Sequence, residues 1–345
     1  MRELTFIEPG KVEWRDVPEP ALEGPGQALV RPLAVATCDL DAAMVAGQSP
    51  FQGPFPLGHE FVAEVVEAGD EVEGWSPGDV AVVPFQISCG ACEACLRGRT
   101  GNCREVRPRG SMYGIGPAGG TWGGALTDLV RVPFADPMLL RPPEGAAPAA
   151  IASASDNISD AYRTVAGPLR AEPGAEVLIV GGFAASISLY AVAIARALGA
   201  GAVHFLDHDP ERLELADALG AEPIEAAGPD DLPGRVGPYP ITVEANGSEA
   251  GLACALRSTA PDGTCTSVAI HFGAATPVPL FEMYFNGVTF HTSRVHSRGV
   301  LPEVLELIEA GRIDPERVTT DVVPWEAAAE EWARPRTKLI VARDS

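Results

Sequence analysis

The sequence predicts an α/β protein with two domains, one of which is built on a parallel β-sheet. Short runs of alternating apolar and polar residues, separated by glycine and proline, make residues 1–150 β-rich and loop-rich. From about residue 170 strands alternate with helices, which is typical of a doubly wound parallel sheet with helices on both faces. A length of 345 residues suffices for two domains of ordinary size.

Each element of this prediction has its own pattern. In the first part, strands are predicted at "QALVRPLAV" and "FVAEVVEAG". In the second part, five apolar runs predict strands: "AEVLIVGG", "GAVHFLD", "ITVEANG", "GTCTSVAIHF" and "VTFHTSRV". Helical spacing marks "SISLYAVAIARALGA", which stops at Gly199, and "PERLELADALGA", which Pro210 opens. The tail predicts two amphipathic helices, "LPEVLELIEAGRI" and "PWEAAAEEWA", and a final strand, "TKLIVAR".

Charge and hydropathy exclude several classes of partner. The net charge of −22 repels nucleic acid and anionic membranes, because binding to phosphate depends on clustered lysine and arginine. No run reaches the roughly 18 uncharged apolar residues that a membrane span needs. The first residues, "MRELTFIEPGKVEW", lack the apolar run of a secretory signal. We therefore expect a soluble cytoplasmic protein.

Six of the seven cysteines fall into two kinds, and Cys38 stands apart from both. Cys254 and Cys265 lie in apolar surroundings and are expected to be core thiols. Four others follow a C-x2-C-x2-C-x7-C spacing in "CGACEACLRGRTGNC", namely Cys89, Cys92, Cys95 and Cys103. That spacing lets one loop present four thiolates to a tetrahedral zinc ion. Because four protein ligands leave no open position for substrate, this site is predicted to be structural.

Three further places in the sequence carry possible metal ligands. They are Cys38, the pair His59 and Glu60, and Asp156. A thiolate, an imidazole and a carboxylate can bind zinc and leave the fourth position to water or substrate. Spacing alone leaves the alternative open that Cys38 is a buried thiol and His59 a loop histidine with satisfied hydrogen bonds.

The segment "GHEFVAEVVEAGDEVEGWSPGDVAVV" resembles the GHE-x2-G-x5-G-x2-V segment of the medium-chain, zinc-dependent alcohol dehydrogenases. The four-cysteine segment follows it at the family's distance, and the resemblance extends over residues 5–342. It implies a GroES-like catalytic domain made of residues 1–150 and 285–345, with the zinc lobe at 86–106. It also implies a Rossmann-type NAD-binding domain at 151–284.

The resemblance also assigns roles to the candidate ligands. Cys38 and His59 match the first two ligands of a catalytic zinc, and Glu60 matches a carboxylate that can move onto the metal. Asp156 stands where many members have cysteine and some bacterial members have aspartate. Two anionic ligands and one imidazole would leave the zinc site neutral.

Two positions depart from the family near the first ligand. Where members usually have Ser or Thr and often His, which pass the alcohol proton to solvent, this chain has Leu40 and Ala43. Neither side chain can carry a proton. We therefore predict that the proton leaves through ordered water or through Asp39, and the alternative is that Asp39 is simply solvated.

The phosphate-binding loop departs as well. A dinucleotide-binding unit has G-x-G-x-x-G between its first strand and first helix, with an acid about 20 residues further on. Here Gly181 and Gly182 have no matching later glycines. Counting back from Asp207 by the family's spacing puts the later glycines at Ala185 and Ser188. The predicted loop comprises Gly181, Gly182, Phe183, Ala184, Ala185, Ser186, Ile187 and Ser188, with hydroxyl donors at Ser186 and Ser188.

The end of the second strand predicts the cofactor. A carboxylate at Asp207 accepts the hydroxyls of the adenosine ribose and repels a 2′-phosphate. His208 follows, and no arginine is immediately adjacent, so NAD is favoured over NADP. Arg212 matches a basic family position beside the ribose, and the alternative is a helix-surface arginine.

Together these features predict a zinc-dependent NAD(H) alcohol dehydrogenase that interconverts an alcohol and its aldehyde or ketone. We expect two Zn²⁺ ions per chain, one catalytic and one structural, and a homodimer or homotetramer that forms through the edge of the nucleotide-binding sheet. Two alternatives stay open: an NAD(P)H-dependent reductase of iminium or activated C=C bonds, and a non-catalytic relative on the same scaffold.

Overall fold

A computed structural model describes residues 1–106 and 111–343. It forms two compact units. The first unit is made of three stretches of chain, residues 1–159, 295–310 and 319–345. The second is made of two stretches, residues 160–294 and 311–318. The predicted domain ranges remain a prediction, and the last two residues of the range ending at 345 lie outside the described part.

The secondary structure changes character along the chain. The first stretch contains β1 (Arg2–Glu8), β2 (Lys11–Asp16), β3 (Ala28–Ala36), α1 (Asp39–Val45), β4 (Phe55–Pro56), β5 (Glu60–Ala68), β6 (Val80–Val83), α2 (Glu93–Leu96), α3 (Gly116–Gly119), β7 (Val130–Val132), α4 (Ala135–Met138) and α5 (Pro148–Ile151). The middle stretch contains α6 (Asn157–Ala171), β8 (Val177–Val180), α7 (Ala185–Ala197), β9 (Val203–Asp207), α8 (Pro210–Ala218), β10 (Glu222–Glu225), β11 (Tyr239–Glu244), α9 (Glu249–Ser258), β12 (Thr259–Ser267), α10 (Leu280–Asn286) and β13 (Thr289–Thr292). The last stretch contains α11 (Ser297–Glu309), β14 (Asp321–Pro324), α12 (Ala328–Glu331) and β15 (Leu339–Ala342).

The first unit contains two sheets. Strands β2, β1 and β4 form an antiparallel sheet, and the larger sheet has the order β14-β15-β3-β5-β6, with β7 also paired to β3. In the larger sheet Ala36 at the end of β3 lies opposite Glu60 on one side and Ile340 on the other. Because both neighbours run antiparallel to β3, the residues after β3, at the start of β5 and before β15 meet at one end of the sheet.

The second unit is built on a six-stranded sheet with the order β10-β9-β8-β11-β12-β13. All five neighbouring pairs are parallel. This is the 3-2-1-4-5-6 order of the doubly wound dinucleotide-binding fold, in which ligands bind beyond the carboxyl ends of the strands where the order reverses. The predicted fold class is confirmed, and the reversal lies between β8 and β11.

The core of the second unit holds both predicted core thiols. Cys254 and Cys265 are 1 % and 0 % exposed and pack with Leu178, Val180 and Leu206. Such close apolar packing removes these thiols from solvent, as the prediction of core thiols requires.

The structure differs from the predicted elements at several places, and α9 and α10 are among the helices that were not predicted. Helix α6 begins directly after Asp156 and was not predicted; it contains Pro168. The segment "PWEAAAEEWA" forms a 3₁₀ turn and only the short α12. Within residues 1–106 and 111–343, no helix has both the length and the apolar character that crossing a membrane requires.

Candidate metal centres and cofactor site

The first candidate centre lies at the end of the larger sheet of the first unit. Cys38 follows β3 and caps the amino end of α1, and His59 directly precedes β5. Asp156 stands between the 3₁₀ turn Ala152–Ser155 and α6. The hydroxyl of Ser155 accepts a 3.0 Å hydrogen bond from the backbone N–H of Phe61, which ties the Asp156 segment to the start of β5.

The structure brings the four predicted residues together. One donor atom from each of Cys38, His59, Glu60 and Asp156 lies within 4.8 Å of the other three, and all four side chains are buried. Ligand atoms on a tetrahedral zinc ion are about 3.4–3.8 Å apart, given Zn–N and Zn–S bonds of about 2.0–2.3 Å.

The hydrogen bonding of His59 also suits a metal. Both ring nitrogens of His59 are buried and make no hydrogen bond, although Nε2 lies 3.3 Å from Oδ2 of Asp156. A completely buried imidazole whose ring nitrogens make no hydrogen bond is costly unless it binds something. The donor set and its orphaned imidazole therefore fit a zinc ion.

Burial and charge shift the protonation of these residues in a consistent way. Burial raises the pKa of the Cys38 thiol well above its usual value, and the carboxylates of Asp156 and Glu60 raise it further. For His59 burial lowers the pKa, but the carboxylates of Asp41 and Asp156 outweigh burial and leave the pKa raised. A cation at the centre of the four donors would favour the deprotonated thiol, because it opposes both effects.

Asp41 is a residue of this centre that the sequence analysis missed. It is completely buried, and its Oδ2 accepts a 2.8 Å hydrogen bond from the backbone N–H of Cys38. Its other oxygen, Oδ1, makes no hydrogen bond, as is also true of Nδ1 of His59. The available signal was an acid at the third position of a helix that a candidate ligand caps.

Glu60 has a partner that the sequence did not suggest. Its Oε2 accepts a 2.9 Å hydrogen bond from Nζ of Lys338, and both side chains are 0 % exposed. Its Oε1 is buried without a hydrogen-bond partner. Burial raises the pKa of Glu60, and the ammonium of Lys338 opposes that rise.

The two departures near Cys38 are buried in α1. Leu40 is 7 % exposed and Ala43 is 3 % exposed. Neither side chain has an atom that can accept or donate a proton, so no relay runs through these two positions.

The second candidate centre is the four-cysteine segment. Cys92 caps α2, Cys95 lies within it, and all four sulfur atoms lie within 4.8 Å of one another. The Sγ atoms of Cys92 and Cys103 are 3.9 Å apart, close to the edge of about 3.8 Å that Zn–S bonds of about 2.3 Å produce and much longer than a disulfide. The backbone N–H of Arg104 donates to Cys92 Sγ, and this hydrogen bond, followed by that from the backbone of Cys95, lowers the pKa of the thiol to about 6. All seven cysteines, each within the described residues, are free thiols.

The predicted phosphate loop follows β8 in the six-stranded sheet of the second unit, at the point where the strand order reverses. A Cβ atom on Gly181 would come within 2.5 Å of Asp207 Oδ2, and one on Gly182 within 2.6 Å of Asn246 Nδ2. Both glycines are therefore required for the loop to lie against the ends of β9 and β11. This position and the amino end of α7 suit a dinucleotide.

Several of the predicted loop donors are engaged elsewhere. The N–H groups of Phe183 and Ala184 donate to the carbonyls of Asn246 and Ala245. The hydroxyl of Ser188 donates to the carbonyl of Ala185 at 2.7 Å, because a serine in a helix reaches back to the preceding turn. Ser186 and Ser188 are both buried, and their role as hydroxyl donors to phosphate stays a prediction. Of the predicted loop amides, those of Ala185, Ser186 and Ile187 lie in the first turn of α7.

Asp207 and Arg212 form a bidentate ion pair. Arg212 Nε lies 2.8 Å from Oδ2 of Asp207, and Nη2 lies 2.7 Å from Oδ1. Oδ1 also accepts the N–H groups of His208 and Asp209. The Asp207 side chain is 0 % exposed, so it reaches a ribose hydroxyl only if Arg212 releases an oxygen. Arg212 therefore contacts the residue that is predicted to bind the ribose. The sequence analysis did not predict this ion pair.

Known sequences and structures place this geometry in a family. The profile of the alcohol dehydrogenase GroES-like domain matches residues 24–142, and that of the zinc-binding dehydrogenase matches residues 186–310. A Mycobacterium tuberculosis protein named as a probable zinc-binding alcohol dehydrogenase is 30 % identical over 98 % of this chain and 86 % of its own length. This chain belongs to the zinc-binding alcohol dehydrogenase family.

Other members of the family share the whole fold or part of the sequence. The alcohol dehydrogenase TADH from Thermus sp. ATN1 superposes with a TM-score of 0.87, with 31 % identity and all of both chains covered. A glutathione-independent formaldehyde dehydrogenase of Pseudomonas aeruginosa is 36 % identical over 64 % of this chain and 57 % of its own length. The predicted membership of the zinc-dependent alcohol dehydrogenases, and with it the classification as an oxidoreductase, is confirmed.

Proposed function

We propose that this chain is a zinc-dependent NAD(H) alcohol dehydrogenase, which interconverts an alcohol and its aldehyde or ketone by hydride transfer. The observation that carries the proposal is the convergence of Cys38, His59 and Asp156, which are far apart in sequence, on one buried point. Family membership supports the reaction class.

The two candidate centres have different roles in this proposal. Cys38, His59 and Asp156 hold a catalytic zinc ion, with Glu60 as a fourth donor that can leave. The four cysteines hold a structural zinc ion, because they fill all its positions with protein ligands. When bound, the catalytic zinc supplies Lewis acidity towards an alcohol or carbonyl oxygen.

The chain's own residues shape how the proton leaves. Leu40 and Ala43 present only carbon atoms where a hydroxyl and an imidazole would carry the alcohol proton. The proton therefore leaves through ordered water or through Asp39 at the amino end of α1. Asp41 holds the Cys38 backbone and keeps negative charge near His59.

The cofactor proposed is NAD. The Asp207 carboxylate lies against Gly181 at the loop after β8, where it opposes a 2′-phosphate. Arg212 neutralises part of that charge, so the preference for NAD over NADP is a balance between these two residues.

Metal content and a substrate panel test the proposal together. Two zinc ions per purified chain support two centres, whereas one ion supports only the structural lobe and a non-catalytic relative. Aliphatic alcohols with NAD are compared with conjugated enones with NADH, and turnover is followed by NADH absorbance. Turnover of the enones alone would favour the C=C reductase, for which the lack of proton carriers at Leu40 and Ala43 is the supporting observation.

The proposed oligomer is a homodimer or homotetramer formed through the edge strand β13. Next to it in sequence, α10 exposes Phe281, Tyr284 and Phe285 at 74 %, 82 % and 75 %. Exposed aromatic residues beside an unpaired strand edge are typical of an interface. Light scattering on the wild type and on Phe285→Glu tests this, with dissociation to monomers as the expected result for the variant.

A further inference from the structure

Lys338 is a buried cation beside the candidate catalytic centre. The chain contains only two lysines, and the other, Lys11, has a side chain that is 53 % exposed. The Lys338 side chain is 0 % exposed. A lysine is almost never completely buried without a partner, because removing an ammonium from water is costly.

The contacts of Lys338 connect two of the segments that carry metal donors. Its Nζ donates to Oε2 of Glu60 at 2.9 Å and to the backbone carbonyl of Thr37, the residue before Cys38. The backbone N–H of Thr37 donates in turn to the carbonyl of Leu339 at 2.9 Å. Lys338 directly precedes β15, and its ammonium is therefore fixed between the residue that follows β3 and the first residue of β5.

The charge of the pocket requires a cation there. Cys38, Asp41, Glu60 and Asp156 are all buried, and each carries a negative charge when deprotonated. Deprotonated Cys38, Glu60 and Asp156 around a divalent ion leave a net negative charge, and a deprotonated Asp41 adds to it. Burial penalises that charge. Lys338 offsets the charge of Glu60 directly, because the two groups are in contact.

The two oxygens of Glu60 consequently have different surroundings. Oε2 accepts a hydrogen bond from Lys338, whereas Oε1 is buried without a hydrogen-bond partner. Glu60 is also one of the four residues whose donor atoms lie close enough together to hold a metal ion. We propose that Lys338 is a positioning residue of this centre: it competes with the metal for Glu60 and so keeps that carboxylate a donor that an outside ligand can displace. This inference rests on the proposed catalytic zinc site.

Loss of the ammonium leaves Glu60 as a buried carboxylate whose remaining partner of opposite charge is the metal. In Lys338→Met the carboxylate should therefore occupy the metal permanently and exclude other ligands. The experiment replaces zinc by Co²⁺ and titrates the protein with imidazole, following the visible d–d absorption of the catalytic ion. The expected result is that Lys338→Met binds imidazole about tenfold or more weakly than the wild type, in line with the effect of outer-shell residues on metal sites.

Three variants serve as controls. Lys11→Met removes the other lysine and should leave both the spectrum and the imidazole affinity unchanged. Lys338→Arg keeps a cation and should restore most of the affinity. Glu60→Gln/Lys338→Met removes the competing carboxylate, and it should bind imidazole nearly as tightly as the wild type, even if Lys338→Met alone does not fold.

The outcomes separate this inference from the proposed function. If wild-type protein takes up only one Co²⁺ per chain and shows no response to imidazole, the catalytic metal site itself is wrong. If two ions bind and Lys338→Met responds to imidazole as the wild type does, the positioning role of Lys338 is wrong and the metal site stands. A tenfold loss that persists in the double variant would equally overturn it, because Glu60 would then not be the competitor.

Discussion

The carboxylate of Asp41 accepts the backbone N–H of Cys38 at 2.8 Å, so the residue that caps α1 is held by an acid one turn further along the same helix. The negative charge of Asp41 also raises the pKa of His59. One buried carboxylate thus acts on two of the proposed zinc ligands, on one through its backbone and on the other through its charge.

Asp41→Asn should weaken the catalytic zinc site without removing a ligand. The amide keeps the shape of the side chain but loses the charge that favours a basic His59, and changes of this kind cost about 10–100-fold in metal affinity. Competition with a chelator, read as zinc per chain, measures the effect. Asp136→Asn, which alters a carboxylate that binds the backbone of Glu73 and Gly74 instead, is the control and should retain both ions. Equal zinc retention in the two variants would contradict a role for Asp41.

Leu40→Thr should shift the alkaline pH optimum of alcohol oxidation downward. The new hydroxyl supplies a proton carrier at a position that is 7 % exposed and has none in the wild type. The measurement is kcat/KM against pH. Leu40→Val is the matched control, because valine has nearly the shape of threonine and carries no proton. An unchanged profile in Leu40→Thr would count against a proton exit through water.

Cys92→Ser should remove the structural zinc ion and leave the catalytic one. Loss of the metal should lower Tm, because metal binding to such a lobe is part of its folding free energy. Zinc analysis is expected to fall from two ions per chain to one, and thermal unfolding follows the stability. Cys254→Ser, which changes a core thiol, should keep both ions.

Asp207→Asn should move the cofactor preference towards NADP. The amide still accepts backbone N–H groups, but it no longer repels a 2′-phosphate, and Arg212 loses the charge that now engages it. We expect the ratio of kcat/KM for NADP to that for NAD to rise by about tenfold, since hydrogen bonds to charged groups contribute about 1.5–3 kcal/mol. Arg212→Gln is the companion variant, and its ratio should fall. A ratio that stays constant in both would place the ribose elsewhere.

The pair of His271 and Glu244 should make stability depend on pH. His271 Nε2 lies 3.3 Å from Oε2 of Glu244, and this carboxylate raises the pKa of the histidine. A raised pKa in the folded state means that the pair stabilises the protein fully below the unfolded value of about 6.5, and that this stabilisation is lost as pH rises through the folded value. Urea unfolding of the wild type and of His271→Gln should therefore differ most in mildly acidic buffer and converge at alkaline pH. His291→Gln, at an exposed residue of β13, is the control; a difference that does not vary with pH would refute the assignment.

Much of the fold was predictable because its signals are local. Strand "AEVLIVGG" and the helix after it appear as β8 and α7, since apolar periodicity over a dozen residues suffices to specify each element. The four-cysteine cluster was predictable for the same reason, because its ligands lie within one short loop. The segment "PWEAAAEEWA" shows the limit, since its helical pattern extends further than α12 does.

The candidate site was predictable only in its ligands. Cys38, His59 and Asp156 match a family pattern, but nothing near Glu60 in sequence indicates Lys338, which lies 278 residues away. Phe183 and Ala184 were placed in the cofactor loop by the family's spacing, whereas their amides donate to carbonyls at the end of β11.

The sequence by itself determined the two-part α/β organisation and the four-cysteine lobe, because both depend on residue types at short spacings. It indicated the proposed catalytic ligands only through its resemblance to a known family. Only the tertiary structure decided which buried groups face one another: Lys338 with Glu60, Asp41 with Cys38, and the β11 end with the phosphate loop. The physical reason is that strand register, set by pairing between distant segments, determines which side chains share a buried pocket. In such a pocket each charge depends on its neighbours for compensation.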